Sequence, residues 1–199
     1  DLAATLALLA RRLKLAYLPE VRVLPWERPL ACAVGIRQPR IYLSTWMVEE
    51  LAPAELEGVL AHELAHVARR DNLVALVATA FLGATACLPT SWSALRNLLH
   101  ERELAADELA VSITGKPITL ARVLHKAASA DLAATGIASG LLEAATAEAR
   151  IHHLVALHRT GTGSAPGIAH WPWIPVLTLV TPPVLAWLVF ALPHLLALP

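Results

Sequence analysis

Charge is scarce in this chain and unevenly spread. Only 16% of its 199 residues are charged, the sixteen cations balance the sixteen anions, and all of them lie before residue 160. With no net charge and no basic run, direct nucleic-acid binding is not expected. Cysteine is nearly absent. Cys32 and Cys87, the only two, lie far apart in apolar sequence, which excludes a disulfide framework and suits small buried hydrophobes in a reducing compartment. No signal peptide and no internal repeat are visible, and the chain starts at Asp1 without Met. It reads as a piece of a longer protein, with upstream spans missing. What is abundant is apolar surface: 56% of residues are hydrophobic and the mean hydropathy is +0.55, more than an ordinary soluble domain carries.

The polar residues that do occur include one strong pattern, His62-Glu63-Leu64-Ala65-His66. Two histidines four apart on a helix share a face, so both imidazoles can bind one ion. Glu63 then sits near the metal yet free of it, placed to act as the general base that takes a proton from the attacking water and passes it to the leaving amine. A catalytic zinc needs a third protein ligand and an open fourth position. Glu103 can supply that ligand. Asp107, one turn further on, can accept the free N–H of a zinc-bound histidine. The His-Glu-x-x-His half alone arises by chance in roughly one chain in a hundred, and Glu-x-x-x-Asp is common on solvated helices. Their joint occurrence in helical sequence predicts one zinc ion per chain, held by His62, His66 and Glu103.

Around the motif, Pro53 suits a first helical position and Glu55 and Glu57 sit in the first turn. Leu56, Val59, Leu60, Leu64 and Val67 give the helix a broad buried stripe. Upstream, Leu2 to Leu15 reads as an amphipathic helix closed by Pro19. Val21–Leu24, Leu30–Ile36 and Ile41–Leu43 read as strands, and Ser44 as the cap of a short helix through Leu51. Further helices are expected over Ser93–Ile113, Ile118–Ala130 and Leu141–Leu157. The fold class is thus mainly α with a small β-sheet.

Two uncharged stretches imply a bilayer. The stretch from 168 to 199 is long enough to cross, with Trp171, Trp173 and Trp187 as interfacial anchors, and Ile174–Leu198 reads as a transmembrane helix despite Pro182, Pro183 and Pro193. The stretch from 73 to 95 lies between the two halves of the zinc site. A single crossing there would leave Glu103 roughly 30 Å from His66. It must turn back near Gly83 or Leu88-Pro89-Thr90, with Ser91 or Ser93 capping the next helix, as a membrane-associated helical hairpin. The domain expectation is a peptidase domain over 1–159, a linker over 160–167 and a transmembrane segment over 168–199. Cations gather on the catalytic side, which places the site on the cytoplasmic face of an inner membrane.

These residues carry a resemblance. Ala33-Val34-Gly35-Ile36, Pro39-Arg40-Ile41-Tyr42-Leu43, Val59 through His66 with Arg69-Arg70-Asp71, and Glu101 through Asp107 together resemble the BlaR/MecR family of membrane-embedded metallopeptidases over roughly residues 5–115. The resemblance implies a zincin-like (gluzincin) core, catalysis by Glu63 and proteolysis at the cytoplasmic membrane face. It also implies antirepressor signalling through cleavage of a transcriptional repressor. The chain has no Ser-x-x-Lys, so no penicillin-binding sensor is expected in it. By the same resemblance, Ala33, Val34 and Gly35 are candidates for an edge strand that holds the polypeptide substrate. Arg150, His152 and His153 are the candidates for stabilising the oxyanion. Two other readings stand beside a signalling protease: a heat-shock or CAAX-type quality-control or processing peptidase, and a non-catalytic membrane transducer stapled by zinc. Retention of Glu63 counts against the last, because a structural site needs no base.

Overall fold

Seven helices and three short strands account for the residues described in this computed structural model, which are 2–135 and 137–161. They fall into two compact units, one holding the described residues of 2–72 and 102–161, the other those of 73–101. The first unit starts with α1, Leu2–Arg12, whose Leu6 and Leu9 are buried. Lys14, in the left-handed region at φ 53°, ends it earlier than the expected Leu15. Strands β1 (Val21–Leu24), β2 (Ala31–Val34) and β3 (Arg40–Ser44) form a sheet ordered β1-β3-β2. β1 runs parallel to β3, and β2 antiparallel to it with Cys32 opposite Tyr42. β2 is shorter than the expected Leu30–Ile36 because Gly35 adopts φ 111°. A Cβ there would sit 3.3 Å from Gln38 O, so glycine is what lets the chain turn into β3. In β3, Ile41 and Leu43 point into the core.

Ser44 ends β3 and caps α2 (Thr45–Glu50), its Oγ accepting from Met47 N–H at 3.2 Å. Next comes α3, Pro53–Arg69, which is the central helix of this unit. Leu60, Ala61 and Leu64 are wholly buried in one core with Leu9, Ile41, Leu43, Leu120 and Leu154. Each such leucine contributes about 1.5–3 kcal/mol through burial. The N-cap of α3 is Ala52, which has no side-chain acceptor, so only half of a capping arrangement exists: Glu55 Oε2 accepts from Ala52 N–H at 3.0 Å and from Lys126 Nζ at 2.7 Å. Burial works to raise the Glu55 carboxyl. The hydrogen bonds from Lys126 and Ala52, with the charges of Lys126 and Arg122, outweigh it and hold the group below its ordinary value of 4.5.

A group whose folded value is depressed stabilises the protein above its unfolded value, and that contribution is lost as pH falls through the folded one. Glu55→Gln keeps the cap acceptor and loses the ion pair. It is expected to cost about 0.5–1 kcal/mol at neutral pH. The gap to wild type should close as pH drops below the ordinary carboxylate range, in thermal melts recorded from neutral to acid pH. A gap that widens toward acid would contradict this assignment.

α3 ends at Arg70, left-handed at φ 56°, whose N–H reaches His66 O and Val67 O. One non-helical residue therefore separates it from α4, Asp71–Thr85. α5, Pro89–Thr114, is 26 residues long; it begins in the second unit and ends in the first. The expected reversal of the 73–95 stretch occurs at Ala86-Cys87-Leu88. Gly83 lies inside α4, and Pro89 rather than a serine starts α5, so Ser91 and Ser93 are helical and not caps. Proline fits because the first turn leaves its N–H without an intrahelical partner anyway. Cys87 is exposed in this turn and Cys32 is half-buried, which corrects the expectation that both are buried.

α6 (Pro117–Thr135) and α7 (Ile137–Thr160) complete the first unit and pack on each other, α6 also on α3. Lys116 Nζ meets Glu57 at 2.7 Å, and Arg12 donates to Ile113 O. No helix among the described residues is long and apolar enough to cross a membrane. The expected transmembrane segment over 168–199, with Ile174–Leu198 and its tryptophans, and nearly all of the 160–167 linker lie outside the described residues.

Candidate metal centre

Three side chains from two helices converge. α3 presents His62 and His66 one turn apart, and their Nε2 atoms are 3.1 Å from each other. α5 presents Glu103, with Oε2 3.4 Å from His62 Nε2 and Oε1 3.7 Å from His66 Nε2. A four-coordinate zinc with bonds of about 2.0–2.1 Å has corners roughly 3.3 Å apart. Two imidazole nitrogens and a carboxylate at these separations fit such an ion without rearrangement. Among the described residues, His62, His66 and Glu103 are the group whose donors lie close enough together to hold a metal.

Around them lies a ring of carboxylates and guanidiniums. Asp107, fully buried one turn after Glu103, has Oδ1 2.9 Å from His62 Nδ1. The distance is that of a hydrogen bond, but the ring N–H is not aligned on the oxygen. Asp71, the first residue of α4, accepts from His66 Nδ1 at 2.7 Å and from Arg69 Nε at 3.2 Å. Each histidine thus has its own carboxylate on the far ring nitrogen, which fixes ring orientation and raises ligand basicity. Arg150 from α7 grips Asp107 with Nε and Nη2, both at 2.7 Å, and sets Nη1 3.3 Å from Glu103. Arg102 Nη2 bonds Glu103 at 2.9 Å while its buried Nε has no partner among the described residues.

Burial opposes the charge on His62, His66, Glu103, Asp107 and Arg150, and pairing overrides it. His62 is pushed up to about 9, since the adjacent carboxylates of Asp107 and Glu103 outweigh desolvation and the repulsion of Arg150. His66 is raised by Asp71 and Glu103 in the same way. Burial alone would raise Glu103, yet His62 and His66 hold it far below the carboxylate range. Asp107 is depressed by Arg150 and His62. The site is thus a stable place for positive charge among ionised carboxylates.

The three converging side chains open on a cavity of about 280 Å³. Glu63, itself buried, lines it, as do Ala31, Cys32 and Ala33 of β2, Asn72, Arg102 and Arg150, and an apolar wall of Met47, Val59, Leu120, Val123, Leu124 and Ala127. The arrangement offers a metal pocket, a free carboxylate beside it, a sheet edge and room for an apolar side chain. The family model described as BlaR1 peptidase M56 matches residues 27–144, which include α3, α5 and the sheet edge. The chain belongs to the BlaR1 peptidase M56 family. Curated relatives of this M56 chain include Protease HtpX homolog 1 of Streptomyces coelicolor, 37% identical over 145 residues that cover 54% of this chain and 47% of the relative. Protease HtpX homolog of Acaryochloris marina is 32% identical over 161 residues, covering 63% of this chain and 54% of its own. The chain spans about half the length of the curated relatives it matches. No solved structure matches it.

Within this M56 core, the sequence candidates are placed as follows. His62, His66 and Glu103 meet, Glu63 lines their cavity, and Asp107 stands behind His62. β2 is an edge strand beside them, with Ala33 on the cavity, Val34 exposed and Gly35 in the turn beyond. Of the three oxyanion candidates only Arg150 lines the cavity. His152 is 78% exposed near Glu148, and His153 pairs with Glu108 at 2.9 Å. In the sequence, Asp71 and Arg102 figure only within the runs that carry the resemblance, and from it neither they nor Asn72 are given a role at the site. Asp71 lies five residues after His66, where a helical continuation would have turned it away; the left-handed Arg70 brings it back.

Proposed function

We propose that this chain carries the catalytic core of a membrane-bound zinc metalloendopeptidase. The observation that carries the reading is the convergence of His62, His66 and Glu103 beside the cavity that Glu63 lines. In this reading His62, His66 and Glu103 hold one zinc ion, which when bound supplies Lewis acidity to the scissile carbonyl and to the attacking water. Glu63 takes the proton of that water and delivers it to the leaving amine. Asp107 and Asp71 orient the two imidazoles, and Arg150 holds Asp107 and Glu103 in place while offering a cationic face near the developing oxyanion. β2 takes up an extended polypeptide by main-chain pairing.

The whole protein's setting is part of the proposal. The uncharged segment 168–199 anchors it in the inner membrane as a transmembrane helix, the 73–95 stretch lies against the lipid, and residues 1–159 face the cytoplasm. Family membership supports a signalling peptidase that cleaves a regulator such as a repressor. The names of the curated relatives favour a second reading, a quality-control peptidase of the heat-shock type. Detergent-purified chain is expected to contain one zinc and to cleave an unfolded casein-like substrate. Stripping the metal with a chelator should abolish cleavage and zinc should restore it. Cleavage that survives metal removal would sink the mechanism, and a wild-type chain without zinc would sink the ligand assignment.

A further inference from the structure

Asn72 is the second residue of α4, and its side chain turns back onto the sheet. Its single carboxamide nitrogen donates both hydrogens to the edge of β2, to Ala33 O at 2.8 Å and to Gly35 O at 2.9 Å. The strand alternation makes these carbonyls significant. Ser44 N–H bonds Leu30 O, and the antiparallel register pairs Cys32 with Tyr42 and Val34 with Arg40, so the even-numbered residues bond β3. Ala31, Ala33 and Gly35 therefore turn their main-chain groups outward, to the open edge. Asn72 occupies the outward carbonyls at one end. What stays open is both groups of Ala31 and the N–H groups of Ala33 and Gly35.

A peptide added to a sheet edge can slip by two residues and keep its side chains on the same faces. Main-chain pairing alone therefore defines no unique scissile bond. We propose that Asn72 is the stop that sets the register of the substrate strand against the metal site, by capping the outward carbonyls Ala33 O and Gly35 O at the end of the β2 edge. The stop is tied to the metal ligands through the chain itself. Asp71, its immediate neighbour, holds His66 Nδ1 at 2.7 Å, so the end of the open edge and the histidine nitrogens are fixed by two consecutive residues. Asn72 is a positioning residue, acting through β2. The inference rests on the peptidase reading and adds to it the rule by which one peptide bond is selected.

The test uses the full, zinc-loaded chain in detergent with a set of unstructured synthetic peptides, mapping first cleavage products by mass spectrometry for wild type and Asn72→Ala. Wild type should favour one bond in each peptide. In the variant, cleavage should spread to bonds two residues away, with the ratio of the main bond to that neighbour falling roughly three- to tenfold for the lost hydrogen bonds. A variant that is only less stable loses rate at every bond in proportion, so the ratio is the decisive quantity. An unchanged ratio with zinc still bound would overturn the proposal, as would wild-type cleavage already scattered over such neighbours. Zinc-loaded wild type that cleaves nothing would instead remove the peptidase reading and the proposal with it. Should Asn72→Ala fail to hold zinc, Asn72→Ser keeps one donor and should give an intermediate ratio; a wild-type ratio in that variant overturns the proposal equally.

Discussion

Glu63→Gln is expected to lower peptide hydrolysis by about 10²- to 10⁴-fold with zinc still bound at one per chain. The substitution keeps the shape of a side chain that is buried on the cavity wall and removes only its capacity to take a proton. Glu63 is not among the converging donors, which are His62, His66 and Glu103, so metal content should not change. The loss belongs in kcat, because the proton is transferred in the transition state and not in the bound ground state. Steady-state kinetics alongside elemental analysis of the same preparation would decide it. Activity within tenfold of wild type would remove Glu63 from the reaction, and loss of zinc would move it to a ligating or structural role.

Asp107→Ala should be the most damaging single change outside the donors and the base. Asp107 is fully buried and takes two bonds of 2.7 Å from Arg150 while standing 2.9 Å from His62 Nδ1. Its removal strips a mostly buried guanidinium of its two-bonded carboxylate partner, an imbalance that typically costs about 3–5 kcal/mol. For a chain of this length that is a fall in Tm of roughly 6–20 °C. It also frees the His62 ring, for which zinc affinity should drop about 10- to 100-fold in chelator competition. The two effects separate in the pair Asp107→Leu with Arg150→Met. Burying two apolar groups in place of the ion pair should recover most of the Tm, while zinc affinity stays low. A single variant that melts within two or so degrees of wild type would mean that the pair holds nothing together.

The parts of this molecule legible in the sequence are those governed by local periodicity. His62 and His66 share a face because four residues make about one helical turn, and the apolar stripe from Leu56 to Val67 fixes which way that helix is buried. Ser44 as a cap, Pro53 as a first helical residue and the three strands follow from equally local chemistry. Glu103 could be placed only by requiring two distant segments to meet at one ion. Where a side chain depends on a turn, sequence was a weaker guide. Asp71 reaches His66 because Arg70 is left-handed, Asn72 reaches β2 for the same reason, and Cys87 is exposed because the reversal falls on it and not on Gly83. On α7 the polar residues from Arg150 to His153 occupy several directions around the helix. Only packing decides that Arg150 faces the cavity, His153 meets Glu108 and His152 meets solvent.

The small sheet has two open edges, and each is guarded. On the β1 side, Glu20 and Arg22 put charge on the edge strand and its approach, Glu20 pairing with Arg22 at 2.8 Å and with Arg40 of β3 at 2.9 Å. The β2 side cannot be sealed that way if peptides are to enter, and there a neutral carboxamide covers the outward carbonyls of Ala33 and Gly35. A fully open apolar strand is a template on which copies of a protein stack into aggregates. An edge left free over so few groups is long enough for a visiting chain and too short for a second sheet to grow.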